Sequence, residues 1–232
     1  MSVGSHAGPQ PERLVTGFVA AHRRPGAGGY RLAKRALDIL LSGAGLAASS
    51  PIWAILAAAI KLEDGGPVFF PQARVGQGGR TFRALKFRSM IVDADRSGAP
   101  RQAALHDPRV TRVGRIMRAT ALDELPQLWN IFRGDMSFVG PRPLVPGEIE
   151  VNGGDAPVPL DAIEGYEERH SLRPGLTGIA QIYAARDVPR AEKFKLDLLY
   201  VQRASFRLDV QLILISFWIT FRGRWEHRGS KV

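Results

Sequence analysis

One apolar run constrains this chain more than any other feature. From Ala36 to Ile60 there are 25 residues and a single charge, Asp38. About 20 apolar residues are enough for a helix to cross the hydrocarbon core, so hydropathy alone predicts a membrane helix. Two details point away from a plain span. Ser49-Ser50-Pro51 lies mid-run, and an internal proline removes one helical donor and crowds the preceding turn, which predicts a kink. A bend there leaves two arms of roughly 15 to 22 Å at about 1.5 Å per residue, too short for a core of about 30 Å. The serines can satisfy the carbonyls that the kink frees. Basic residues also flank both ends, with Arg31, Lys34 and Arg35 before the run and Lys61, Arg74 and Arg80 after it. Charge bias therefore gives a single span no orientation. A re-entrant helix–break–helix, broken at Ser50 and Pro51, meets both observations. A straight or merely kinked span and a buried helix of a soluble fold are the alternatives.

The remaining length fits one good core in a chain of 232 residues. Lys and Arg number 32 against 22 Asp and Glu, a net charge of +10, and 26 of the basic residues are Arg. The planar guanidinium fork suits bidentate phosphate contacts. The partner is then anionic: a phosphate-bearing small molecule, a nucleic acid or an acidic membrane surface. There is no cysteine, which excludes disulfides, thiolate metal sites and cysteine nucleophiles. No Walker A run is present, and Gly76-x-Gly78-Gly79 lacks the spacing of a dinucleotide fingerprint.

Residues 1–30 read as a tail with no secretory signal, 31–62 as the membrane segment, 63–221 as a catalytic domain and 222–232 as a basic tail. Val68 to Phe70 and Thr81 to Met90 read as strands around a turn at 74–80, followed by a helix fragment and loop over 91–108. Arg109, Arg112, Arg115 and Arg118 would line one stripe of a helix, with Val110, Val113, Ile116 and Met117 opposite. The helical pattern from Leu122 to Phe132 puts Asp123 near a helix start, with Pro126 in the first turn. Residues 139–143 and 173–178 read as rigid loops, 147–159 as a surface excursion, and 164–170 and 191–203 as helices. Leu208 to Phe221 is too short to span unaided; it is either a membrane-interface helix or a core helix. The expected fold is α+β and monotopic, with a small strand hairpin and a mostly helical domain carrying interfacial helices.

Between Arg74 and Arg142 stand twelve arginines and Lys86 against six carboxylates. Such a basic region could hold anionic phosphates while a carboxylate attacks or binds a divalent ion. Mg²⁺ takes one or two carboxylates plus substrate phosphates. Adjacent helical side chains point about 100° apart, so Asp123 and Glu124 suit two separate roles: one facing phosphorus and one facing the metal. From spacing alone, a pair that merely complements a helix dipole is the better reading. Lys86 and Arg88 share one strand face and could reach phosphate or solvent, and Arg118 is equally open.

Several motifs stand in the order and spacing of one known family. They are Lys86-Phe87-Arg88-Ser89-Met90, Asp107-Pro108-Arg109-Val110-Thr111, Leu122-Asp123-Glu124-Leu125-Pro126-Gln127-Leu128 with Asn130, Gly134-Asp135-Met136-Ser137, Val139-Gly140-Pro141-Arg142-Pro143 and Arg173-Pro174-Gly175-Leu176-Thr177-Gly178. Over residues 31 to 221 the chain resembles the bacterial sugar transferases, the monotopic polyprenyl-phosphate phosphoglycosyl transferases, in their small form. The resemblance implies a membrane enzyme at the cytoplasmic face of the bacterial inner membrane. It would join a nucleoside diphosphate sugar, usually a UDP-sugar, to polyprenyl phosphate such as undecaprenyl phosphate, with Mg²⁺. It further implies Asp123 as nucleophile and Glu124 as Mg²⁺ ligand, with Lys86, Arg88, Arg118 and Arg142 neutralising phosphates. Gln127, Arg173 and Asp197 would be site or support positions, and Ser50-Pro51 the break of the re-entrant helix. The chain departs from the family pattern at Ala73, where a glutamate is common, and at Ile182–Arg186, which replaces an Asn-Gly-Arg run. These departures bear on the sugar rather than the reaction. The alternative function is a non-enzymatic membrane-associated assembly protein; a nucleic-acid partner is not expected, because it leaves the apolar run unexplained. A homodimer stays open, since an apolar membrane face and a dimer interface look alike in sequence.

Overall fold

The computed structural model describes residues 27–94, 107–150, 157–185 and 188–222. The described residues begin with a 38-residue helix, α1 (Ala27–Asp64). A hairpin follows, β1 (Phe69–Val75) and β2 (Thr81–Phe87), antiparallel with Phe69 opposite Phe87 and Val75 opposite Thr81. Next come α2 (Arg112–Ala119), α3 (Gln127–Arg133), β3 (Ser137–Val139), a short β4–β5 pair (Ile149–Glu150 with Val158–Pro159) and α4 (Tyr166–Arg169). The chain then runs through β6 (Gly175–Thr177), α5 (Ile179–Tyr183), α6 (Arg190–Arg203) and α7 (Phe206–Phe221). Among the described residues the architecture is helix-dominated, with three two-stranded sheets. The helix starts four residues before the expected end of the tail; the rest of that tail, and residues 223–232 of the C-terminal tail, lie outside the described residues. So do 95–106, within the expected helix fragment and loop, and 151–156, within the expected surface excursion.

The helix runs through Pro51 without interruption. An internal proline costs about 3 kcal/mol, and two local features offset it. The carbonyl left without its helical donor is that of Ala47, and Ser50 Oγ donates to it at 2.9 Å. One turn on, Trp53 Nε1 donates to Ser49 Oγ at 3.0 Å, and its ring meets Phe87 edge-on, 5.3 Å between centroids. Leu56 and Ile60 are buried with Phe87 and Met117. Each such side chain contributes about 1.5–3 kcal/mol on burial, so packing outweighs the proline. The helix is therefore continuous where proline propensity predicts a break.

Both halves of α1 dock on the same domain. In the first half, Lys34 Nζ donates to Asp209 and to the Val139 carbonyl, each at 2.9 Å, and Tyr30 also reaches Asp209. Arg35 forks onto the Ile131 and Phe132 carbonyls, both at 2.7 Å, closing the C-terminus of α3. Asp38 accepts from Ser137 Oγ and Phe138 N. At the far end, Glu63 accepts from the Arg112 and Val113 amides and so caps α2, and Asp64 pairs with Arg88. A second side of α1 stays open, with Leu40 70% and Ile55 68% exposed.

The main core lies beneath the first half of α1. Leu128, Ile131, Met136, Val139, Ile179, Ile182, Tyr200, Leu208 and Leu212 pack there, with Leu37, Leu41 and Leu46 of α1 against them. The two loops read as rigid are a single feature. β3 and β6 pair in parallel, Gly140 N donates to Thr177 O and Gly175 N to Pro141 O, both at 2.9 Å, and a Cβ on either glycine would overlap the other segment's backbone. Asn130 bolts α3 to the hairpin: its Oδ1 accepts from Leu85 N at 2.9 Å and its Nδ2 donates to Arg83 O at 2.8 Å. Ile116, expected on the buried side of α2, is 66% exposed. Met117 alone of that pair turns inward, because α2 spans only two turns and meets the core along the Val113–Met117 edge. In α7 one face is core and the other is open. Leu208, Leu212 and Ile219 are buried, whereas Leu214, Phe217, Trp218 and Phe221 form an exposed stripe. Arg222 stacks over Trp218 at its end.

Candidate active site

The acidic pair sits on a short 3₁₀ turn, Leu122–Glu124, and not inside an α-helix. The Leu125 amide closes that turn on the Leu122 carbonyl, and Pro126 immediately precedes α3. The turn is entered through Ala121, held left-handed at φ +56°. A non-glycine residue there costs of order 1–3 kcal/mol, and such strain concentrates at functional sites. The α2 end, the turn and the β2 strand meet here, and their side chains differ in reach. Asp123 is 8% exposed. Glu124 reaches outward to Lys86 Nζ at 2.5 Å, with Arg142 at 3.6 Å. The pair thus has two environments, as the sequence leaves open.

Electrostatics separates the two further. Burial pushes the Asp123 carboxyl up to about 6, opposed by Lys86 and Arg118 and reinforced by the neighbouring Glu124 charge. Burial also works against the Glu124 anion, but Lys86 and Arg142 outweigh it and hold this carboxyl well below its ordinary value. Near neutral pH, Glu124 is a fixed anion inside a cationic clamp. Asp123 is the more basic carboxylate of the two.

Both carboxylates line one cavity of about 1060 Å³ together with Lys86, Arg88, Arg118 and Arg142. Its walls are unlike one another. Leu41 and Gly45 of α1 and Ile213, Phe217 and Thr220 of α7 form a largely apolar side; Glu148, Arg190 and Lys193 form a charged one. Gln127 is 3% exposed, and its Nε2 has no hydrogen-bond partner among the described residues. It borders a small adjoining void with Arg74, Lys86, Glu124 and Arg142.

Two expected site residues sit elsewhere in the arrangement. Asp197 borders the cavity, but its carboxylate is taken by Arg169 at 2.6 Å, and both side chains are buried. Arg169 also donates to the Arg142 carbonyl at 2.8 Å, so Asp197 holds the main chain from which Arg142 projects. Arg173 is not among the cavity-lining residues; its carbonyl packs against Gly140 in the β3–β6 contact. Sequence reasoning missed Arg74 and Arg169. Arg74 donates to the Pro143 carbonyl at 3.0 Å, and burial followed by the nearby Arg142 lowers its guanidinium to about 10. Its signal was present in Gln72-Ala73-Arg74, one strand residue before the turn. Arg169 had none, because its partners are 27 and 28 residues away.

Among the described residues no group of three metal-ligating side chains is assembled. Asp123 and Glu124 supply hard oxygen donors only, a set that suits a Mg²⁺ ion whose other ligands are substrate phosphates and water.

A long apolar helix is docked on a helix-dominated domain, with a carboxylate pair in a cationic cavity beside it. Comparison with known proteins narrows this. Residues 29–223 match the bacterial sugar transferase family, and the chain belongs to that family. It is 43% identical over 221 residues to an undecaprenyl-phosphate glucose phosphotransferase of Komagataeibacter xylinus, covering 93% of this chain and 41% of that protein. It is 37% identical to the exopolysaccharide production protein ExoY of Sinorhizobium fredii, covering 78% of this chain and 82% of that one. It is 41% identical to a UDP-N-acetylgalactosamine-undecaprenyl-phosphate N-acetylgalactosaminephosphotransferase of Aeromonas hydrophila, covering 79% and 42%. The chain thus spans about two fifths of the first and third of these relatives and most of ExoY.

Selective ¹³C-carboxyl labelling of aspartate tests the division between the two acids. One aspartate should titrate near pH 6, should vanish in Asp123→Asn, and should move to higher pH in Lys86→Met, where the cation favouring its charged form is gone. An Asp123 midpoint at the ordinary carboxylate value would contradict it.

Proposed function

We propose that this chain is an enzyme that transfers a phosphosugar from a UDP-sugar to polyprenyl phosphate, an initiating step in surface polysaccharide or glycoconjugate synthesis. One observation carries the reading: a buried aspartate and a clamped glutamate share a single cavity with Lys86, Arg88, Arg118 and Arg142, beside an apolar helix. Family membership and the printed activities of the relatives support it.

In the proposed mechanism an Asp123 oxygen attacks the phosphorus that carries the sugar. The bond from that phosphorus to the bridging oxygen breaks, and UMP leaves with the electron pair. Lys86 and Arg142 neutralise the charge that builds on the departing phosphate, which is the main demand of phosphoryl transfer. The phosphosugar is then held on Asp123. An oxygen of polyprenyl phosphate attacks the same phosphorus, the bond to Asp123 breaks, and polyprenyl-diphosphate-sugar forms. Covalent catalysis divides one difficult transfer into two steps. Glu124 would hold Mg²⁺ together with substrate phosphates, and the ion would offset diphosphate charge. Gln127 has an unspent donor beside this cluster, and the Asp197–Arg169 pair keeps Arg142 in place.

The membrane topology belongs to the same proposal. A straight helix of 38 residues would be about 57 Å long at 1.5 Å per residue, nearly twice the core thickness of about 30 Å. Its two ends are fastened to one domain through Lys34 and Asp38 at one side and Glu63 and Asp64 at the other. A helix tied this way does not leave the domain on one side and emerge on the other. We read α1 as entering and leaving at the cytoplasmic leaflet, its change of direction at Ser50 and Pro51 a kink within a continuous helix rather than a break. The exposed stripe of α7 lies at headgroup depth.

Asp123→Asn should lower UMP release from UDP-sugar by roughly a thousandfold or more, with Glu124→Gln also impaired and more demanding of Mg²⁺. Full UMP release by Asp123→Asn would remove the nucleophile assignment. For topology, protease-sensitive tags at both termini should be cut only from the cytoplasmic side of sealed inverted and right-side-out vesicles; cleavage of one tag from each side would establish a span.

A further inference from the structure

Arg88 stands apart from the other cations of the cavity. Lys86, Arg142 and Arg74 all act on Glu124. Arg88 instead pairs with Asp64, the last residue of α1. It is 6% exposed, yet its Nε and Nη1 have no hydrogen-bond partner among the described residues. A guanidinium carries five donors, and leaving them unspent in a buried position is costly unless a ligand takes them. Arg88 lines the cavity, so a ligand can reach it.

Its surroundings indicate which ligand. Ile91 and Val92 line the cavity next to it and are about half exposed, and Pro67 and Phe70 border the same space. Val92 and Arg88 crowd Gly66 from the same direction: a Cβ there would overlap Arg88 Nη1 and meet Val92 Cγ2 at 2.7 Å. A cation at the end of the membrane helix, with apolar side chains beside it, matches a phosphate on an apolar chain. A nucleotide brings a ribose and a base, and its polar complement lies at the wall of Glu148, Arg190 and Lys193.

We propose that the cavity has two anion sites on either side of Asp123. The Lys86–Arg142–Arg74 group receives the diphosphate of the donor. Arg88, held by Asp64 and given room by Gly66, receives the phosphate monoester of the lipid acceptor. This rests on the transfer reaction proposed above and adds where the acceptor binds. Arg88 orients one acceptor oxygen toward the phosphorus on Asp123; a new P–O bond forms there while the P–O bond to Asp123 breaks and the carboxylate is regenerated. The end of the membrane helix thereby becomes part of the acceptor site.

Two reactions of the full chain in detergent separate the sites. Exchange of labelled UMP into UDP-sugar without lipid reads the donor half alone; transfer to undecaprenyl phosphate reads both. Gly66→Ala displaces the Arg88 guanidinium without changing its charge, and Arg88→Gln removes it. Both should raise the KM for undecaprenyl phosphate about tenfold or more beyond any change in exchange rate. Arg88→Lys should recover part of the loss. An unchanged lipid KM in Gly66→Ala, or exchange and transfer falling in equal proportion in both variants, would overturn the second site. Lack of exchange in the unsubstituted protein would instead strike at the proposed reaction, and lipid-dependent transfer would then have to be explained without an intermediate.

Discussion

Lys86 and Glu124 meet at 2.5 Å, and the organisation of the site follows from that contact. It joins the β hairpin to the acidic turn, two pieces of chain 38 residues apart. It also decides which of two adjacent carboxylates keeps its charge at low cost. Glu124 is drawn to the cation and fixed as an anion. Asp123, left deeper and less well compensated, becomes the more basic oxygen. Two neighbouring acids thus acquire different chemistry from placement alone, which is the general way one site holds two carboxyl groups in separate roles. The strained Ala121 backbone directs the turn so that this placement is possible.

The membrane helix has a matching logic. Burying Lys34 and Asp209 is costly unless both are paired and their remaining bonds are met. Here Tyr30, Tyr200 and the Val139 carbonyl complete the network. Such a network fixes register: α1 has one seat on the domain, and its far end then delivers Asp64 to Arg88. The helix also forms a wall of the cavity, through Leu41 and Gly45. In the proposed reaction a substrate carried by lipid and a substrate dissolved in water need a common meeting place, and a helix docked at both ends would supply one.

Much of this was legible in the sequence, for reasons that differ by element. The apolar run, the hairpin and the Asp123–Glu124 pair announce themselves through composition, alternation and motif order, while the 3₁₀ turn that carries the pair read as the start of a helix. Ser50 was readable as a donor for the carbonyl that Pro51 frees, because that repair is local. The continuity of α1 through Pro51 was not, since it depends on Trp53, Leu56 and Ile60 packing on residues of β2 and α2. Asp197 stood as a site or support position; its partner Arg169 is distant in sequence, so its service to Arg142 could be read only in three dimensions. Ile116 was misplaced because a two-turn helix buries one edge and not a full half. Asn130 was visible as a motif residue, while its bonds to the β2 backbone were not.

The central claim is that Asp123 carries the phosphosugar between the two substrates. Intact-mass analysis of the protein after incubation with a panel of UDP-sugars and Mg²⁺, without lipid acceptor, tests it directly. The account predicts a mass increase equal to one phosphosugar for the accepted donor, mapped to the peptide containing Asp123 and discharged on adding undecaprenyl phosphate. Acceptor-dependent turnover with no adduct at any time, or an adduct mapped to Glu124 or another residue, would contradict it.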